Sequence, residues 1–222
     1  MTSNTTIERA QSELALKDAH EFIYQNSSIQ TLSFASTTML RDHCLKMMSP
    51  VGAVLEFGVY DGSSVNYFAR YMKSVGDERA IYGFDSFEGF SEEWSGVNRL
   101  YPVNLFDKAG RTPVVENNVE LVVGYIESSL PEFLARKKLE SVALIHIDTD
   151  TYSPAKTALE LLRPFLVSGS IILFDEFCGY PNWRSHEYRA LTEVLPREDY
   201  DFLGFASGGR SANLIKAAIR IK

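Results

Sequence analysis

Three apolar runs in this chain end in acidic residues: Val54-Leu55-Glu56-Phe57-Gly58, Leu144-Ile145-His146-Ile147-Asp148-Thr149-Asp150 and Ile171-Ile172-Leu173-Phe174-Asp175-Glu176. Short continuous apolar runs are what buried parallel strands require, because helices cover both faces of such a sheet. In open α/β sheets, ligands bind beyond the carboxyl ends of the strands. Carboxylates gathered at that edge repel one another unless a cation compensates them. The pattern predicts a ligand site with a metal beside it.

From residue 51 onward, strand and helix patterns alternate. Strands are expected over 51–57, 80–84, 119–123, 142–147 and 170–174, the signature of a doubly wound parallel sheet. Val65, Phe68, Ala69 and Met72 share one face of the helix after the first strand. Ala155, Ala158, Leu159 and Leu162 share a face of a later helix, with Ser153 as its expected N-cap and Pro154 in its first turn. A further helix is expected over 185–195, ended by Pro196. Two strand-like runs, 201–206 and 213–219, are joined through Gly208-Gly209, a hairpin signal that predicts an antiparallel edge.

Residues 8–48 read as helical and peripheral, with Leu40, Cys44, Leu45 and Met48 on one stripe and Thr37 or Thr38 as a cap. The expected fold is therefore α/β and Rossmann-like, doubly wound, with a mostly parallel seven-stranded sheet. An antiparallel C-terminal edge hairpin and N-terminal helices complete it. One domain is expected over 1–222, with a helical cap at 1–48 and a core at 49–222. The aperiodic connection 86–118 is long enough to be functional. Its Phe87, Phe90, Trp94, Tyr101 and Phe106 predict an ordered lid, and specificity is expected to reside there and in 1–48.

Net charge is −7, which argues against sequence-independent nucleic-acid binding, since that needs a basic face. The dense basic run Arg136-Lys137-Lys138 suits a helix end. No apolar stretch reaches the roughly 18–20 residues that span a bilayer, and residues 1–7 lack a signal-peptide pattern. Cys44 and Cys178 lie far apart and are expected to be reduced thiols. These features predict a soluble, cytoplasmic protein without membrane or nucleic-acid partners. A homo-oligomer is compatible with the sequence but not indicated by it.

The turn after the first strand reads Glu56-Phe57-Gly58-Val59-Tyr60-Asp61-Gly62-Ser63-Ser64. A dinucleotide fingerprint, G-x-G-x-x-G, needs its second glycine where a pyrophosphate meets backbone. Tyr60 stands there and Ser63 at the third position, which disfavours a nicotinamide-dependent oxidoreductase. The spacing instead suits a phosphate-free cofactor with a zwitterionic end. Asp85 closes the next strand, placed to accept hydrogen bonds from ribose hydroxyls. Asp148, Asp175 and Glu176 could supply three hard oxygen ligands to Mg²⁺ or Ca²⁺, and Asp150 is the best-placed general base. His146 reads as a buried core residue. His186-Glu187-Tyr188-Arg189-Ala190 starts like H-E-x-x-H but ends in Ala190, which excludes zinc-protease chemistry; His186 could still line a substrate pocket. A non-catalytic ligand-binding protein on the same scaffold would be expected to lose these carboxylates. All four are present.

The stretch 54–70 resembles the first motif of class I S-adenosylmethionine-dependent methyltransferases and is similar to that of the catechol O-methyltransferases. The macrocin O-methyltransferase family of natural-product sugar methylators is a closer match. Gly83-Phe84-Asp85-Ser86-Phe87-Glu88-Gly89-Phe90, Ile145 through Tyr152, and Phe174-Asp175-Glu176-Phe177 through Trp183 and His186-Glu187 also resemble its segments. The resemblance covers 50–195. It implies a divalent-metal-dependent O-methyltransferase acting on a small acceptor with vicinal hydroxyls, a sugar or a catechol.

By that resemblance Glu56, Gly58, Tyr60, Gly62 and Ser64 hold the methionine end of the cofactor. Asp85 and Ser86 meet the ribose, and Gly124-Tyr125-Ile126 border the adenine. Asp148, Asp175 and Glu176 form the metal triad, for Mg²⁺ with Ca²⁺ or Mn²⁺ as alternatives. Asp150 is the base, and Asp148 also touches cofactor and reaction centre. Thr151 stands where some relatives place a His or Lys, and Glu176 replaces a common Asp or Asn.

Overall fold

The structure is a computed structural model and describes residues 4–95, 100–207 and 213–222. It begins with α1 (Asn4–Asn26), β1 (Leu32–Phe34) and α2 (Thr37–Met47), followed by β2 (Ala53–Phe57), α3 (Ser63–Ser74) and β3 (Ile81–Asp85). Two short strands, β4 (Trp94–Ser95) and β5 (Leu100–Tyr101), lie in the long connection before β6 (Val119–Val123). The second half contains α4 (Ile126–Arg136), β7 (Val142–Ile147), α5 (Tyr152–Leu162), β8 (Leu166–Cys178), α6 (Glu187–Val194), β9 (Tyr200–Ser207) and β10 (Ile215–Ile221).

The main sheet has eight strands in the order β1-β9-β10-β8-β7-β2-β3-β6. All neighbours are parallel except β10, which runs antiparallel to both β8 and β9. The sheet thus gains one strand over the expected seven. Leu32–Phe34, inside the segment read as helical, pairs parallel with Gly204–Ala206 and takes the edge that the C-terminal hairpin was expected to form. Although Thr31-Leu32-Ser33-Phe34 alternates, three residues are too short a run to read as a strand locally; the exposed edge of β9 supplies the pairing. The expected Gly208-Gly209 junction lies outside the described residues.

Alternating side chains of the buried strands feed two apolar clusters, one on each face. Leu55, Phe57, Ile145, Ile147, Ile172 and Phe174 pack toward α4 and α5. Val54, Leu144, Ile171 and Leu173 pack toward α2 and α3. Caps differ from expectation. Ser36, not Thr37 or Thr38, accepts the Met39 amide at the start of α2. At α5 the N-cap is Thr151, which makes no side-chain cap bond. Its capping oxygens come from Glu92 in the long connection, which accepts from the Ser153 amide at 2.7 Å and hydroxyl at 2.8 Å.

Chain order runs outward from β2 through β3 to β6 on one side, and from β7 to β8 on the other. The crevice between β2 and β7 is the switch point where doubly wound sheets bind ligands. There Gly58 has φ +89°, and a Cβ on it would overlap the Asp148 carbonyl oxygen. The two strand ends touch backbone to backbone, so only glycine fits. Among the described residues no helix is long and apolar enough to cross a membrane. Gly58→Ala should cost at least about 3 kcal/mol, combining left-handed strain with a backbone clash. Equilibrium urea unfolding checks this, and an unchanged midpoint would show that the turn relaxes.

Candidate active site

A cavity of about 260 Å³ opens at this switch point. Of the expected cofactor residues, Gly58, Tyr60, Ser64, Asp85, Ser86, Tyr125, Ile126 and Asp148 line it, as does Asp150. Glu56, Gly62 and Gly124 are not among its lining residues. Glu56 is fully buried and accepts from Ser64 Oγ at 2.9 Å. Gly62 is the left-handed N-cap of α3. Gly124 donates its amide to the Asp85 carbonyl at 2.9 Å, so the turns after β3 and β6 are tied together.

Asp85 organises the first turn. Its Oδ2 accepts the Val59 and Tyr60 amides, each at 2.8 Å, and its Oδ1 accepts the Phe87 amide at 2.7 Å. Oδ2 is filled by its two amides, whereas Oδ1 keeps a second lone pair that can accept from a ligand hydroxyl. Three non-glycine residues on the cavity wall have positive φ: Tyr60 (48°), Phe106 (66°) and Asp150 (61°). Such strain costs about 1–3 kcal/mol per residue and gathers where ligands are clamped. The Tyr60 and Phe106 rings meet edge to face at 5.0 Å, with Lys108 Nζ 4.7 Å over Tyr60. The long connection therefore folds back onto the glycine turn.

The acidic residues fall into two groups. Strand alternation puts neighbouring Asp175 and Glu176 on opposite faces of β8. Atoms able to ligate a metal in Asp148, Asp150 and Glu176 all lie within 4.8 Å of one another, as do those of His146, Asp148 and Asp175. The expected triad of Asp148, Asp175 and Glu176 is thus divided, with Asp148 shared. Asp175 is already compensated: Arg41 Nη2 donates to it at 3.0 Å and Lys216 Nζ at 2.7 Å. Burial alone would raise its pKa, but Lys216, His146 and Arg41 outweigh burial and hold the carboxyl well below the usual range.

The other group lacks that compensation. Burial, then the charge of Asp175, raises Asp148 to about 7. Burial, followed by neighbouring carboxylates, pushes Asp150 and Glu176 well above the ordinary range. Lys216 Nζ stands 3.8 Å from Glu176 Oε1, beyond hydrogen-bond reach, and Glu176 Oε2 is buried without a partner among the described residues. An unpartnered buried carboxylate oxygen beside two more carboxylates has the chemistry of a hard-cation site.

His146 is more than core filling. Its Nδ1 bonds Glu56 at 2.9 Å and its Nε2 points to Asp175 at 3.7 Å. Burial opposes its protonation, yet Asp175 and Glu56 together raise it to about 9. His186 does not line the cavity. It links Ser95 of the long connection, at 2.9 Å from Nε2, to Tyr180 Oη, at 3.1 Å from Nδ1. Tyr180 in turn donates to the Glu176 carbonyl at 3.2 Å. Every group is satisfied when the hydroxyl of Ser95 donates to Nε2, Nδ1–H donates to Tyr180 and Tyr180 donates onward. Cys178 is buried, which raises its thiol and removes it as a nucleophile.

Sequence reasoning missed Arg41, Glu92, Tyr180 and Lys216. Lys216 carried a signal: a single cation in Ile215-Lys216-Ala217-Ala218-Ile219 must be paired if that strand is buried. Glu92 and Tyr180 carried none, because their partners are set by tertiary contact.

A family of methyltransferase domains matches residues 55–177, more than half of the chain. The chain belongs to that family. Over 142 residues this methyltransferase-domain protein is 25% identical to the 8-demethyl-8-(2,3-dimethoxy-alpha-L-rhamnosyl)-tetracenomycin-C 4'-O-methyltransferase of Streptomyces olivaceus, covering 57% of this chain and 53% of that protein. Over 159 residues it is 24% identical to the mycinamicin III 3''-O-methyltransferase of Micromonospora griseorubida, covering 62% of this chain and 60% of the relative. The matched region thus spans little more than half the length of these curated relatives. The crystal structure of CalS11, a calicheamicin methyltransferase, superposes with a TM-score of 0.62 at 27% identity, covering 83% of this chain and 78% of that one.

The neutral state of His186 has a pH consequence. Burial lowers it to about 4, below its ordinary 6.5, so the unfolded chain binds the proton first. Stability is then complete above the unfolded value and declines as pH falls from 6.5 toward 4. Between pH 7 and pH 5 this histidine should cost roughly 2 kcal/mol. His186→Gln should lose about that much less than the parent over the same interval in urea unfolding. Equal losses would show that other groups carry the acid sensitivity.

Proposed function

We propose that this methyltransferase-domain protein transfers a methyl group from S-adenosylmethionine to a hydroxyl of a small polyhydroxylated acceptor, a sugar of a natural product. The observation that carries the reading is the convergence of Asp148, Asp150 and Glu176 beside the cavity framed by the glycine turn and Asp85. Relatives that methylate glycosylated natural products support the acceptor class. Sugars offer vicinal hydroxyls, which suit two-point binding at a hard-cation site.

In this reading the methionine end lies against the Gly58 turn, with Glu56 and Ser64 fixing its floor. Asp85 accepts from the ribose while holding the Val59 and Tyr60 amides in place. Tyr125 and Ile126 border the adenine. Asp148, Asp150 and Glu176 would hold Mg²⁺, Ca²⁺ or Mn²⁺, since their oxygens are hard donors and one is unpartnered. A divalent cation there would supply charge that lowers the pKa of an acceptor hydroxyl. Asp150 has two oxygens, so it can join that set and still take the acceptor's proton. The acceptor oxygen then bonds to the methyl carbon as the carbon–sulfur bond breaks, and sulfur keeps the electron pair. The aromatic connection over the cavity excludes water, and most of the rate comes from positioning and charge.

Calorimetric titration of S-adenosylmethionine, with Mg²⁺ and then with EDTA, tests the cofactor. Wild type should bind, and Asp85→Ala should bind at least about tenfold more weakly, having lost charge-assisted bonds. Asp150→Asn should keep cofactor affinity but lower methyl transfer to a diol-bearing sugar by about 10²–10⁴. A fully active Asp150→Asn variant would remove Asp150 as the base. Absence of cofactor binding would remove the methyltransferase reading itself.

A further inference from the structure

Strand β8 outlasts its neighbour. Strand β7 ends at Ile147, opposite Phe174, whereas β8 continues to Cys178 against β10. Residues 175–178 therefore have a strand partner on one side only, and the free side adjoins the acidic cluster. The Glu176 amide finds its acceptor in a side chain: Glu187 Oε2, at 3.1 Å. The Glu176 carbonyl is held by Tyr180 Oη. Both backbone groups of Glu176 are thus fixed by side chains from the segment that follows β8. Glu187 is itself fully buried, and its second oxygen, Oε1, has no partner among the described residues. A carboxylate is a costly way to satisfy one amide, because its other oxygen goes unbonded in a dry interior.

We propose that Glu187 is a positioning residue: it fixes the backbone of Glu176 so that the Glu176 carboxylate reaches Asp148 and Asp150. The proposal rests on the cation-site reading of those three carboxylates given above. Glu187 acts through the placement of its acceptor oxygen, not through its charge. A glutamine in its place offers a carbonyl oxygen at the same reach. An aspartate keeps the charge but withdraws the oxygen by one methylene.

The test is Mn²⁺ affinity of the full chain, read by electron paramagnetic resonance without cofactor or acceptor. Wild type and Glu187→Gln should bind within about threefold of each other. Glu187→Asp should bind about 10–100-fold more weakly, the usual effect of removing a group that orients a ligand. Should Glu187→Asp not fold, Tyr180→Phe removes the bond on the carbonyl side and should weaken Mn²⁺ several-fold. Equal affinity in wild type, Glu187→Asp and Tyr180→Phe overturns the proposal. Weakened Glu187→Gln with intact Glu187→Asp also overturns it, in favour of charge. Wild-type protein that binds no Mn²⁺ removes the cation site and this role with it, whereas the preceding outcomes leave the site standing.

Discussion

Everything at the catalytic edge depends on how three adjacent strands dispose of charge in a dry interior. Glu56, His146 and Asp175 share one face of the sheet, on β2, β7 and β8, and Glu56 and His146 are in register. Arg41 from α2 and Lys216 from β10 close the row on Asp175. Phe68 of α3 packs edge-on against the His146 ring at 5.2 Å. A buried charge without a partner would be penalised by several kcal/mol. Here each one meets an opposite charge or a hydrogen-bonding group, and the row links the cofactor turn at Glu56 to the acidic edge. Glu176, on the opposite face of β8, has only Lys216 near it, at 3.8 Å and beyond hydrogen-bond reach, among the cations of the described residues. One residue of strand alternation therefore separates a carboxylate hydrogen-bonded to two cations from one whose Oε2 is left without a partner among the described residues.

The same edge is set by backbone as much as by side chains. Gly58 lets β2 approach the Asp148 carbonyl, and Asp85 gathers three amides into the turn above it. Asp148 donates its own amide to Phe57 at 2.8 Å, which holds the first carboxylate against the glycine turn. Cofactor turn and acidic cluster are consequently one rigid piece. Ligands held on such a piece need little further ordering, which is how positioning lowers a barrier.

Much of this was legible from the chain because it depends on local periodicity. The strands over 119–123 and 142–147 have the expected bounds, and the apolar faces of α3 and α5 are those read from Val65, Phe68, Ala69, Met72, Ala155, Ala158, Leu159 and Leu162. The carboxylates at the strand ends were legible for the same reason. Which of them face each other was not. Asp175 and Glu176 are adjacent in sequence, and only the sheet parity and the positions of Arg41 and Lys216 assign them to different environments. The cap of α5 and the strand Leu32–Phe34 escaped because Glu92 and β9, distant in sequence, complete them. His146 is the buried core residue expected, but its partners Glu56 and Asp175 were not legible, since nothing local places them on either side of it.

The long connection is fastened at two points that both bear on the carboxylates. Glu92 holds Ser153, three residues beyond Asp150, and Ser95 reaches Glu176 through His186 and Tyr180. Its aromatic residues join the fastening, with Trp94 stacked on Tyr101 at 4.9 Å and edge-on to Tyr180 at 6.2 Å. Covering the cavity and shaping the acidic cluster are then not separate events. Hydrogen bonds run from the connection toward the backbones that carry Asp150 and Glu176. The segment that lines the cavity and the backbone of the acidic cluster are therefore one hydrogen-bonded unit, and neither can shift without the other.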